Sequence, residues 1–564
     1  MLTLRNSFLR PSYGGILGSI LLAATGCAAG GQSEGAQSPA PSSDAPPAKE
    51  KTQGSSAKET PGPAPDVLYP AHVAVPQAPQ ACNEGQPLPP PAQCSDARPA
   101  LAVALSLKNN ERDSALKKLE SCSDFPRGLL RALRAELAPA ECADRLVEPL
   151  VGKGNNSQTI SQDIRESLVA LGLGARLRRL AIDPPAAPTS KKKDALQDYF
   201  KTDLFPWIGQ QAQAIFVMAS QGTQLTGYAR GIVAIEAGNA DMRFVEIARA
   251  VPIADEFAQH QEARDLYYAN LDQELEPRKN RGRNGALAGL AAMASQGIRQ
   301  SERVASARAL LSRAYGGRRV NALDTLFLAP LSPQKAETDA AGIASRVPAP
   351  YASTLLGRVP LTAHLVRAQV QMGMTTALRR QIESEGDAPS RLLLARALFE
   401  SGRTYFRATD FQAAQALLTE VLDSQESLKE LTSEQRAEAS LVRALSIALL
   451  AGPKNAAEMI SQGPRFAQQL GNLVILDGLA EKKNEVGGRA AFNAAYLREL
   501  IAPSGAPNYW TDLSARYSNA SKHLLSPEKR LARERAQACS DIARTLKKQI
   551  AEAKKRATAK QNGS

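Results

Sequence analysis

Six cysteines and four histidines are the side chains of this 564-residue chain with the widest chemical range. The histidines, His72, His260, His364 and His523, fall one to a segment. No H-E-x-x-H pair or other ligand spacing arises, and the cysteines lack the tight C-x-x-C spacing of a zinc site. No Walker phosphate loop is present, and Gly172-Leu173-Gly174 lacks the rest of a dinucleotide fingerprint. Gly31 to Gly35 fits G-x-S-x-G, but no strand precedes it and no helix follows. Ser114–Lys117 and Ser526–Lys529 have the S-x-x-K spacing without its companion motifs. These patterns predict a protein that is not an enzyme and has no metal and no cofactor.

The cysteines suit covalent cross-linking better. Cys82 and Cys94 bracket a Pro-rich loop, and Cys122 and Cys142 flank the next predicted helix, 127–137. In an oxidising compartment four such thiols form two bridges, with three pairings open to them. The expected pairing is the local one, Cys82–Cys94 with Cys122–Cys142. Cys539, within AQACSDIA, reads as a small buried residue.

The elements that position these groups are helical. Aromatic residues make up only 5% of the chain, Ala, Leu, Arg, Glu and Gln abound, and no alternating Val/Ile/Thr run is sustained. Beyond residue 26 no apolar stretch approaches the roughly 20 residues a membrane helix needs. The clearest unit is residues 390–423. Ser390 is placed to cap a helix whose Leu394, Leu398, Ser401/Gly402 and Tyr405 share one face. Thr409-Asp410 offers a second cap, and Phe411, Ala414, Leu418 and Val421 form the facing stripe.

This spacing resembles the tetratricopeptide repeat, with Gly402 and Tyr405 in the glycine and tyrosine places, Ala414 at the small position and Leu418 at the large apolar one. Leu398 stands where the family often has Trp, and the usual Pro after the second helix is missing. Trp510, Leu513 and Tyr517 reproduce the W-x-x-L-x-x-x-Y spacing of the first repeat helix. The resemblance covers about 60 residues. It implies an all-α solenoid of helical hairpins whose curved surface holds partner segments.

Residues 1–26 resemble a bacterial export signal, with Arg5 and Arg10 ahead of a short apolar core. The stretch LLAATGC resembles a lipoprotein lipobox, with Ala24 where Leu is commonest. The resemblance implies that Cys27 carries lipid and that the protein belongs to the cell envelope. Ala28 rather than Asp after the cysteine implies the outer membrane, facing the periplasm. Residues 28 to about 80 are Pro, Ser, Ala, Gly and Lys/Glu, a predicted disordered tether spanning about 40 Å as a coil and about 150 Å as a polyproline helix. The chain divides into signal (1–26), lipidated Cys27 and linker (27–95), an N-terminal helical region (96–190), a central repeat region (191–340) and a C-terminal repeat region with a basic tail (341–564). Asp183 to Ser190 and a Pro-containing connector, 330–360, mark breaks. Gly238 is expected at a turn between two apolar stripes, and the basic segment 278–283 is expected as a solvated loop.

The net charge is +13, and 544–560 holds seven basic residues against Glu552 alone. No aromatics or Gly-rich loops interleave them, so nucleic acid is not the expected partner. The anions open to it are lipid phosphates or an anionic wall polymer, beside the plainer reading of a solvated helix end that frays. The expected partners are therefore envelope proteins, the membrane through the N-terminal lipid, and an anionic polymer through the tail. The reading is a scaffold in envelope assembly or cell-wall enzyme regulation. Two alternatives stand beside it: a polyanion-binding envelope protein, or a wall-active enzyme resembling lytic transglycosylases, with Glu400-Ser401 as the acid motif. Against the enzyme, Glu-Ser recurs four more times and the G-x-M-Q segment is absent.

Overall fold

The computed structural model describes residues 75–82, 94, 97–126, 128–151, 162–297, 301–330, 338–357, 361, 365–368, 376–450, 473–503 and 505–562. The export signal, Cys27 and the tether up to residue 74 lie outside them, as do His72 and His364. Among the described residues every regular element is helical.

The first helices are α1 (Ala97–Ser106), α2 (Asn109–Leu119), α3 (Leu129–Leu137), α4 (Ala143–Val151) and α5 (Gln162–Arg179). Each packs on the next in sequence. The bridges that staple this region join Cys82 to Cys142 and Cys94 to Cys122. The local pairing is thus overturned. The fold carries Cys82 back to the start of α4, and Arg179 holds the incoming strap there by donating from Nε to the Pro76 carbonyl at 3.0 Å. The same guanidinium is held by both oxygens of Asp144, at 3.0 and 2.6 Å.

The centre comprises α6 (Lys193–Tyr199), α7 (Phe205–Gly222), α8 (Gly227–Ala250), α9 (Gln261–Ser295) and α10 (Glu302–Tyr315). No turn occurs at Gly238, because α8 runs straight through it. The glycine serves close approach instead: a Cβ there would lie 2.9 Å from the Gly282 carbonyl of α9, and one on Gly285 2.7 Å from the Ala234 carbonyl. Residues 278–283 are not a loop either. They lie within α9, where Arg278 and Arg281 both reach the buried Asp241 of α8, at 3.2 and 2.9 Å. Two backbones this close leave room for long cations only at the edges of the contact, so the arginines pair there with α8. The α5 helix also packs on α8, and Arg243 donates to the Leu177 and Leu180 carbonyls.

The stretch expected as a connector contains α11 (Asp339–Ala344) and α12 (Ala349–Leu356), and α11 folds back onto α1. Then come α13 (Thr376–Glu385), α14 (Ala388–Tyr405), α15 (Ala408–Asp423), α16 (Gln425–Glu430), α17 (Ser433–Leu450), α18 (Val474–Ala480), α19 (Glu485–Leu500), α20 (Pro507–Ser521) and α21 (Glu528–Asn562). Residues 322–328 pin α19 to the centre. Asn493 exchanges two hydrogen bonds with the Phe327 backbone, at 2.7 and 2.8 Å, and the Phe327 and Phe492 rings stack.

The α14–α15 hairpin forms, with two changes at its caps. Asp387, not Ser390, caps α14, its carboxylate accepting from Ser390 N at 2.8 Å. Pro389 has no N–H to satisfy, so the helix can begin at Ala388, one residue before it. Thr409-Asp410 is no cap: Phe406 takes the left-handed conformation that ends α14, and α15 starts at Ala408. Pro527 stands just before α21.

Candidate functional site

All seven residues carrying the repeat resemblance are buried. Gly402, Tyr405, Ala414 and Leu418 lie at the α14–α15 contact, and Trp510, Leu513 and Tyr517 face inward from α20. Gly402 lets the Phe411 ring lie against the α14 backbone. Tyr517 donates to Glu499 at 2.6 Å, and Arg535 of α21 holds the same carboxylate at 2.8 and 2.9 Å. These residues form packing seams and present no reactive group to solvent.

The hairpin does, however, wall a cleft of about 460 Å³, within the range typical of binding pockets. Ala294, Ser295 and Gly297, at the end of α9, close one side. Ala397 and Leu398 of α14 form an apolar floor. Arg379, Arg380 and Glu383 line it from α13, and Arg407 and Asp410 from the hairpin turn. Arg379 donates from Nε to Glu383 at 2.8 Å, the i to i+4 pairing of one helix face. Ser401 donates its hydroxyl to Asp410 Oδ2 at 2.6 Å, and Arg407 Nε stands 3.6 Å from Oδ1. Burial holds the Asp410 carboxyl above its ordinary range, opposed by the Ser401 hydrogen bond and by the nearby Arg407 and Arg379 charges. The rim therefore carries three guanidinium groups against two carboxylates, above the almost wholly covered Ala397 and Leu398. Such a cleft can hold a short peptide carrying an acidic group.

Of these residues, sequence reasoning singles out Leu398, Ser401 and Asp410 only, and for other roles. The Arg379/Glu383 spacing is visible in the sequence, but nothing local says that α9 ends opposite α14. Glu400, the acid of the enzymatic alternative, does not line the cleft. Arg403, one turn along, holds its carboxylate at 2.7 and 2.6 Å.

A second polar cluster is enclosed. Tyr228 of α8 donates to Glu136 of α3, and Arg303 of α10 stands 3.5 Å from Glu136 and 3.8 Å from Glu236. Arg178 of α5 approaches Glu236 at 3.4 Å from the other side. Burial pushes the Glu136 carboxyl up, opposed by the Arg303 charge and the Tyr228 hydrogen bond. This cluster joins four helices and does not open into the cleft.

Cys539 is buried, and burial pushes its thiol up to about 12, so little thiolate forms near neutral pH. Among the described residues, no group of three or more His, Cys, Asp or Glu is placed to hold a metal ion, and no helix is long and apolar enough to cross a membrane. Comparison of the chain with family models, curated proteins and solved structures finds no match. The tetratricopeptide resemblance thus rests on residue spacing alone.

Proposed function

We propose that this protein is an envelope-anchored helical scaffold, its hairpins stacked as an open solenoid and held to an outer-membrane leaflet by lipid on Cys27. It grips a segment of a partner protein in the cleft between α9, α13, α14 and α15. The observation that carries this reading is that cleft: an apolar floor from the most repeat-like hairpin, ringed by Arg379, Arg380 and Arg407. Arginine rims of this kind favour partners bearing carboxylates. The work served is assembly of an envelope complex or control of a cell-wall enzyme, and the protein itself performs no reaction. The tether from residue 28 to about 80, Pro-rich and poor in large apolar residues, supplies the reach between leaflet and scaffold.

The test is chemical cross-linking of intact cells, followed by pull-down from the envelope fraction. The native chain should recover one dominant protein partner, and a Cys27→Ser chain should lose both acyl label and membrane fractionation. Retention of lipid label by Cys27→Ser, or recovery of the same proteins with an Arg379→Glu/Arg407→Glu chain, would contradict the reading.

A further inference from the structure

The α21 helix is far longer than the helix it packs against. At 1.5 Å per residue its 35 residues span about 52 Å, against about 22 Å for the 15 residues of α20. Ala532, Ala536, Cys539 and Ala543 are buried on that contact, and Leu546 is the last side chain with partial cover. Every residue from Lys547 to Ala559 is exposed.

The exposed part is basic on one side. At 100° per residue, Arg544, Lys547, Lys548, Lys554 and Lys555 fall within about 120° of arc, and Arg556 alone of the exposed bases before residue 560 lies about 80° beyond it. Asp541, which pairs with Arg544 at 3.2 Å, and Glu552 lie at one edge of that sector. The apolar seam that α21 uses against α20 runs on through Ile550, on another side of the helix, so the bases do not flank it evenly. A partner helix docked on the seam would touch few of them. A second copy of α21 would set like charges together. A flat anionic surface meets all five at once.

We propose that the projecting half of α21 lies against an anionic lipid surface, its basic side toward the headgroup phosphates, as a second and electrostatic contact beside the anchor. Beyond Leu546 the only large apolar side chain is Ile550, so the helix adsorbs at the headgroups rather than inserting. Adsorption of this kind weakens as salt rises.

The experiment is co-sedimentation of the full-length Cys27→Ser chain, free of any acyl contribution, with vesicles of phosphatidylcholine alone or mixed with phosphatidylglycerol. Binding is expected only to the anionic vesicles and is lost in high salt. Each basic residue near such a surface strengthens binding about fivefold, so Lys548→Gln/Lys555→Gln should weaken it about 30-fold. The equally exposed pair Lys482→Gln/Lys483→Gln should leave it unchanged. No binding to anionic vesicles, or equal loss with the two pairs, overturns the proposal. So does full retention with the α21 pair, or displacement of the protein from vesicles by soluble polyglutamate with a preference for the peptide.

Discussion

Gly402 sits directly beneath the ring of Phe411: a Cβ built on the glycine would lie 2.7 Å from Phe411 Cε1. That contact brings α14 and α15 together and fixes one wall of the cleft. An alanine in an exposed helix would gain up to about 1 kcal/mol over glycine. Here it must displace a fully buried aromatic ring, which costs more. Gly402→Ala should therefore destabilise the protein by about 1–3 kcal/mol in denaturant titration. The loss should be partly recovered when Phe411 is shortened to Leu.

Two glycines, Gly285 in the α8–α9 contact and Gly209 on α7, should respond to alanine with opposite sign. Gly285→Ala places a methyl against the Ala234 carbonyl, a backbone atom that cannot turn aside, and the helices must part. The expected loss is about 1–3 kcal/mol. Gly209 of α7 faces open space, with nothing within 4 Å of where a Cβ would stand, so Gly209→Ala should gain up to about 1 kcal/mol. Melting curves of the two variants check both signs.

How much of the fold is legible in the sequence follows from how far apart the interacting residues lie. The α14–α15 hairpin can be read because Gly402, Tyr405, Ala414 and Leu418 are neighbours in sequence and in space. All-helical structure follows from composition and from the lack of alternating runs. Gly238 misleads because a glycine between two apolar stripes looks like a turn until the helix that needs its missing side chain is known. The bridges mislead because short loops close most readily, yet the fold returns Cys82 to Cys142 across 60 residues. The cleft is invisible in the sequence because the end of α9 and the second half of α14 meet only in the folded chain.

The bridges make a direct prediction. Non-reducing peptide mapping should recover Cys82 with Cys142 and Cys94 with Cys122. The closed loops span 60 and 28 residues, so each bridge restrains the unfolded chain by on the order of 3–4 kcal/mol. Cys82→Ser/Cys142→Ser should lower stability by that order and should expose the Arg179–Pro76 strap to protease. A map showing Cys82 with Cys94 would contradict the structure.

The enclosed cluster predicts a pH dependence carried by Glu136. Its carboxyl is raised by burial above the ordinary value of 4.5. Between that value and the raised one, the folded chain binds a proton that the unfolded chain does not. Stability from this group is therefore full below about pH 4.5 and is lost as pH rises through the raised value. Glu136→Gln removes the titration. Wild-type stability minus variant stability should then fall as pH rises across that window, with a slope of up to about 1.4 kcal/mol per pH unit. A difference that is flat, or that rises with pH, would show that Glu136 is not held protonated by its surroundings.

The most direct test of the scaffold reading is photocrosslinking in living cells from a probe placed at position 380, on the rim of the cleft, compared with one at position 530 on the exposed side of α21. The account predicts a single dominant protein adduct from position 380, abolished by Arg379→Glu/Arg407→Glu, and no corresponding adduct from position 530. The same adducts from both positions, or an adduct from position 380 that survives reversal of the rim charges, would contradict it.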